Sequence, residues 1–341
     1  MDPTQLTLNA QLTTFVAGVY PPEFIGRTLA PMAPAQIIAD LAFNWWKFDP
    51  AEYLRVVDLK INRRGNIPVA DFAFKTDTAV LSDYGRRLIH PNDVARLTQT
   101  QPSGVLQVPI DTRMAKAKAL VDTFWFSHEI ETNTLFTTLA NYKTGNAVDA
   151  SAQGNSGYKL DDPDTDVVAV IQTAMAKSLI KPDTAWMGLA VWLPLRRHPK
   201  IISAIKAVLG DRQAVEGVAN EAEVAKLFDL RQVVVGEQRG NFAAPGEAAS
   251  YQRVWGKDFG LCRVEPAPLS TVAPYAGTAL TAYGALFGSA PVFVQSSAIL
   301  PGQEHGGLWG AVQDIVGHCR RVIMTNQDSC FLIKNAVTND V

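Results

Sequence analysis

The stretch Thr112–Lys143 constrains this chain more than any other. Ala117, Leu120, Val121, Phe124, Trp125, Leu135, Leu139 and Tyr142 recur through it at helical spacing. Asp111 precedes the run as a candidate N-cap, because its carboxylate can accept from the N–H groups of a first turn. Gly145 is the candidate left-handed residue that ends it. About 32 residues at ~1.5 Å each predict a helix of roughly 48 Å. The usual length is only ~11–12 residues. A helix this long is either the core of a compact α/β domain or a strut along an elongated subunit.

The rest of the chain is ordered around that run. Residues 1–36 read as an arm: apolar side chains are interrupted by Pro21, Pro22, Pro31 and Pro34, which oppose regular structure. Such an arm needs a surface to cover, supplied by the same chain or by a neighbour. Tyr53–Ile61 and Val69–Val80 are strand-like, and the turn chemistry of residues 62–66 joins them into a hairpin with Arg63 and Arg64 at its tip. A two-stranded hairpin is marginal alone in water, so it must lie on something. Residues 84–111, with Pro91, Pro102 and Pro109, read as an irregular lead-in, and the Gly-, Asn-, Asp- and Ser-rich residues 144–163 as a connector.

From residue 164 the texture changes to short α/β alternation. Asp164 is placed to cap a helix, and Thr184–Val191 reads as a buried strand. Pro199 suits a first helical turn, and Asn220 with Glu223 has capping-box spacing. Arg231–Gly236 reads as another strand.

Net charge is −2 with 19% charged residues, and no basic stripe is interleaved with aromatics, so bulk charge does not draw this chain to nucleic acid. Cys262, Cys319 and Cys330 are unpatterned and fit reduced thiols. The N-terminal residues lack the basic region of a signal peptide, and no apolar run approaches the ~20 residues of a membrane span.

Motifs that carry chemistry are incomplete. His128-Glu129 opens a zinc-helix pattern, but the second histidine it needs is Thr132, so His128 reads as a polar position on the helix. Gly154–Gly157 lacks the spacing of a nucleophile elbow, and no phosphate-cradling glycine loop occurs. His318-Cys319 with Cys330 has no metal-ligand pattern. The cluster Asp161, Asp162, Asp164 and Asp166 decorates a loop and a helix N-terminus, where the dipole favours negative charge. No catalytic, cofactor or metal residue is assigned, and the chain is not read as an enzyme. Trp45 and Trp46 form an aromatic group with Phe43 and Phe48, suited to burial against another subunit or the chain's own core.

One segment carries a family resemblance. Pro182, Asp183, Thr184, Met187, Gly188, Val191, Trp192, Leu195, His198, Pro199, Ile201, Ile205 and Lys206 stand in the pattern of a segment of tailed-bacteriophage major capsid proteins. The run 221–236 resembles the helix and strand that follow in that family, and Tyr251–Gly256 its Val-Trp-Gly element. Weaker matches keep the family order: residues 63–74 as the E-loop, 83–95 after it, Glu129 in the long helix, and Gly310-Ala311 and Phe331–Val337 near the end.

The resemblance implies an α+β Hong Kong 97-like major capsid fold. Its expected parts are an N-terminal arm (1–36), an E-loop hairpin (37–83), and a peripheral domain (84–163) with a spine helix at 112–143. An axial domain (164–302) and return strands (303–341) complete it. It implies a structural protein that self-assembles, as pentamers and hexamers, into the icosahedral shell around phage double-stranded DNA. The implied partners are a separate scaffolding protein, a portal protein, a decoration protein, and the packaged DNA by non-specific proximity. No membrane is involved, and the chain is made in the host cytoplasm. Trp45, Trp46, Arg63 and Arg64 are the expected intersubunit residues. An encapsulin-like compartment, and a soluble α/β enzyme or binding protein with a site in 164–300, stay open as alternatives.

Overall fold

The computed structural model describes residues 7–17, 21, 24–35, 42–56, 75–92, 112–209, 217–244, 246–265, 275–284 and 292–338. Two sheets carry the fold, and one helix joins them. The first sheet is built on the 14-residue strand Ala311–Met324. One edge of that strand pairs with Ser82–Pro91; the other pairs first with Val292–Ile299 and then with Ala279–Gly284. Thr7–Leu8 and Met32–Ala35 complete six strands at the two ends. The second sheet has the order Ala147–Asp149, Phe331–Lys334, Phe259–Cys262, Thr184–Gly188, Gln232–Gly236.

Strand alternation sorts the second sheet's side chains onto two faces. Ala185, Met187, Phe331 and Ile333 pack under the helices Val167–Lys177, Leu189–Leu195, Pro199–Leu209 and Glu221–Leu227. Trp186 and Leu332 point the other way, into a cluster with Phe136 of the long helix and with Ile25, Leu29 and Ala30 of the arm. The first half of the long helix lies elsewhere. Its Ala117, Val121, Phe124 and Trp125 pack on Val292, Val294 and Val316 of the first sheet. The helix is therefore a strut that spends one half on each sheet.

The strut is shorter than its apolar period suggested. It runs Thr112–Thr137, 26 residues, and Thr138 is extended. The cause is a threonine-rich end. Thr132, Thr134, Thr137 and Thr138 each turn their hydroxyl onto the carbonyl four residues back, an arrangement that weakens helices. Asn141 Nδ2 then donates to Leu135 O at 2.8 Å and Tyr142 Oη to Phe136 O at 2.6 Å, so side chains satisfy the orphan carbonyls. Gly145 is left-handed but lies beyond this cap. Asp111 lies outside the described residues.

Other expectations shift for local reasons. Of the expected first hairpin strand Tyr53–Ile61, Tyr53 instead closes a short helix, Pro50–Tyr53, which Asp49 caps with Pro50 at its first position. Lys75–Val80 pairs with Ala42–Lys47, a strand upstream of the expected partner Tyr53–Ile61; residues 57–74, with Arg63 and Arg64, lie outside the described residues. The lead-in at 84–91 is not irregular, because the long strand templates it. Asp166, not Asp164, caps the next helix by accepting from Ala169 N, while Asp164 N donates to Asp162. Thr184–Gly188 ends early, because Gly188 passes so close to the Gly256 carbonyl that a Cβ would lie 2.0 Å from it, and a helix starts at Leu189.

A larger correction concerns the arm. Despite its prolines the arm forms Ala10–Ala17, Gly26–Leu29 and Met32–Ala35, with Pro34 tolerated on a sheet edge. Its apolar residues Leu12, Phe24, Ile25, Leu29 and Ala30 are covered by the chain's own sheets and strut. Ala279–Gly284 and Val292–Ile299, within the expected segment 164–302, pair in the first sheet.

The expected capping box is formed: Asn220 Oδ1 accepts from Glu223 N and Glu223 Oε2 from Asn220 N, both at 2.9 Å. Asn220→Ala should cost about 1 kcal/mol, read as a lower urea midpoint with unchanged slope.

Candidate functional site

The strut's buried side carries the polar chemistry. Glu129 has no exposed surface. Its Oε1 accepts from Ile25 N at 3.0 Å and from the Trp255 indole at 2.5 Å; Oε2 accepts from Gly26 N at 2.7 Å. One carboxylate thus ties the strut to the arm and to the segment leading into the second sheet. Burial raises the Glu129 carboxyl above its ordinary value, and the indole and the two amides pull it back. Gly26 is required by the close approach: a Cβ there would lie 2.6 Å from Glu129 Oε2. Gly236 leaves room for the Trp255 ring in the same way.

A second tie lies nearby. Arg320, fully buried, donates to Phe124 O at 2.9 Å, to Ser127 Oγ at 3.1 Å and to Glu131 Oε2 at 3.2 Å, and stacks 4.6 Å over the Tyr84 ring. Tyr84 also donates to Glu131. A third tie fixes the strut's start, where Arg113 grips buried Asp314 with two nitrogens, at 2.5 and 2.6 Å. His128, expected as a polar position on the helix, is fully buried beside Glu129. Neither Glu129 nor Arg320 was singled out as a tie. The available signal was a charged residue on the apolar side of the helical run.

The hairpin base is two-faced. Trp45 and Ala79 turn inward onto Leu81, Leu280, Ala282 and Cys319. Trp46 and Val80 turn outward, 36% and 63% exposed, with the Thr78–Asn44 hydrogen bond between them. Of the expected intersubunit residues, Trp45 is thus consumed by its own core and Trp46 remains on the surface. Leu54 and Val56, just beyond, are also exposed.

Chemistry of another kind is thin. The three cysteines are buried thiols, each pushed upward by burial. Among the described residues no group of three His, Cys, Asp or Glu is placed to hold a metal ion, and no helix is long and apolar enough to cross a membrane. The cleft lined by Lys181, Asp183, Asp229, Arg231 and Arg263 satisfies its charges internally: Lys181 pairs with Asp229, Arg231 with Asp183, and Arg263 with Glu265. It offers no convergent unpaired set to a substrate.

Known proteins match this architecture end to end. The chain is 24% identical to the major capsid protein of Pseudomonas phage JBD67, over 99% of both chains. A phage-related protein from Bordetella bronchiseptica RB50 superposes with a TM-score of 0.70 at 18% identity, over 97% of this chain and 98% of that one. The capsid structure of cyanophage P-SCSP1u matches at 0.50, 11% identity, over 91% and 88%. No protein-family model matches the chain. The fold is the Hong Kong 97-like α+β fold that the sequence pattern implied.

Glu129→Gln replaces one acceptor oxygen by an amide that faces donors, and should cost about 1–3 kcal/mol. Faster proteolysis within residues 21–30, with the second sheet still protected, is the expected readout.

Proposed function

We infer that this chain is a major capsid protein of the tailed-phage type, a structural subunit that assembles with copies of itself into the shell of a virion. The observation that carries this reading is the extent of the likeness. It runs through arm, hairpin, strut and both sheets, 99% of each chain, in one order. The relative is a phage capsid protein, which favours a viral shell over an encapsulin-like compartment. The internally paired cleft in the second half gives the enzyme alternative no support.

The mechanism is mechanical. We read the strut with the first sheet as the peripheral domain, and the second sheet with its helices as the axial domain gathered around five-fold and six-fold positions. The hairpin reaches a neighbouring subunit. Its outer face supplies Trp46 and Val80, and its tip Arg63 and Arg64. Apolar area buried there is worth ~25 cal/mol per Å². Many such contacts, each weak, close a shell because each new subunit engages several neighbours at once. A separate scaffolding protein, a portal and a decoration protein are the partners this role calls for. The packaged DNA meets a wall of near-zero net charge, and synthesis takes place in the host cytoplasm.

Replacing Trp46 and Val80 together by Asp should abolish shells while leaving the subunit folded. Arg63→Glu with Arg64→Glu should also impair assembly. By contrast, Trp45→Ala should destabilise the subunit itself by ~3–5 kcal/mol. Negative-stain images and size-exclusion profiles, beside circular dichroism, separate these outcomes. Normal shells from the first two variants would refute the hairpin contact.

A further inference from the structure

Two buried histidines have no part in the shell contacts. His128 Nε2 lies 2.8 Å from Thr281 Oγ1, and that hydroxyl donates its one proton to Ala30 O at 3.0 Å. Thr281 therefore accepts from the ring, so Nε2 carries the proton and Nδ1 is a bare lone pair. That Nδ1 is buried without a hydrogen-bond partner among the described residues, and a Cβ on Gly26 would lie 3.3 Å from it. On the long strand, His318 Nδ1 lies 3.2 Å from Arg320 Nη1. A guanidinium only donates, so Nδ1 accepts and Nε2 holds the proton. Both imidazoles stand edge-on to Trp125, with centroids 5.9 and 5.7 Å away.

Neither ring has room for a second proton. On His128 the new N–H would be buried with no acceptor within hydrogen-bond distance among the described residues. On His318 it would break the bond from Arg320 and set two cations in contact. We propose that the His128–Trp125–His318 stack is an acid-labile catch: the neutral rings hold the strut and the segment Ile25–Ala30 on the first sheet, and protonation in the opened joint keeps them apart.

The charged surroundings support the direction. Arg320 from the long strand and Arg27 from the arm act on His128; Arg320 and His128 act on His318. Glu131, with Tyr84 bonded to it, is engaged by Arg320, and the Glu129 oxygens are occupied by the arm and Trp255. Burial first, and Arg320 second, push His128 down to about 3 and His318 well below its ordinary value. Above about pH 6.5 the closed and opened joints are both neutral. As pH falls below that value the opened joint takes protons that the closed one refuses, and the catch weakens. The raised Glu129 carboxyl acts with the opposite sign, since protonation favours its buried state, so it cannot produce this fall.

Hydrogen–deuterium exchange of the full chain, corrected for intrinsic rates, tests the catch between about pH 7.5 and about pH 5. Opening at residues 128–137 and 279–284 should rise roughly 10²–10³-fold over that range, close to tenfold per unit for each histidine. Thr184–Gly188 should stay protected. H128Q keeps the donor to Thr281 and H318N keeps an acceptor for Arg320; each should remove one proton's share of the slope. A flat wild-type profile, an equal loss at Thr184–Gly188, or a slope that survives in the double variant would overturn the proposal. If the double variant does not fold, the wild-type profile alone decides between the first two outcomes and the expected one.

Discussion

The structure depends on burying charge along the inner side of one helix. An ionised carboxylate without partners does not survive removal from water. Glu129 survives because three donors converge on it from two other parts of the chain, the arm and the Trp255 segment. Arg320 obeys the same rule in reverse, a cation whose donors reach Phe124 O, Ser127 and Glu131 on the strut and His318 on its own strand. Apolar packing alone would leave the strut able to slide or rotate on the sheets. Charges that lose several kcal/mol when unpaired do not allow that. The polar ties set the register, and apolar burial supplies most of the favourable energy.

This division explains what the sequence made legible. The apolar period announced a long helix, and the two strands Thr184–Gly188 and Gln232–Gly236 stood out because both faces of that sheet are covered, which selects β-branched and aromatic runs. The capping box at Asn220 was readable because its two partners are three residues apart. Glu129's partners are about a hundred residues away in both directions. Its place four residues after Trp125, on the apolar side of the run, hints at burial but names none of its partners. Arg320 was hidden for the same reason. The helix end is not legible in the sequence, because Leu139 and Tyr142 keep the apolar period after the backbone has left it, and Tyr142 serves as a cap.

The strand Ser82–Pro91 shows the limit of local propensity most plainly. Its exposure pattern has no clean alternation, and it contains Gly85 and two adjacent arginines. It is a strand because ten residues of Ala311–Met324 and its flanking contacts offer it a ladder. Context overrides preference here, as it commonly does for edge strands. The arm is the complementary case. Its prolines do block long elements, yet the short pieces between them are each tethered by something remote: Thr7–Leu8 by Val292–Ile299, Gly26–Leu29 by Glu129, and Met32–Ala35 by Ala279–Gly284.

The arm's apolar residues Leu12, Phe24, Ile25, Leu29 and Ala30 are spent on the chain's own body, whereas the hairpin base keeps apolar surface exposed. The hairpin base meets two requirements of the contact proposed for it. It must be held firmly enough to aim, and it must still offer apolar surface. Strand periodicity resolves this within six residues. One face anchors Trp45 in the core, and the next residue along, Trp46, is presented outward on a ribbon whose direction the anchor fixes. A flexible loop carrying the same tryptophan would lose conformational entropy on every docking event. The anchored ribbon has already lost that entropy during folding, so the contact proposed for Trp46 does not have to supply it again.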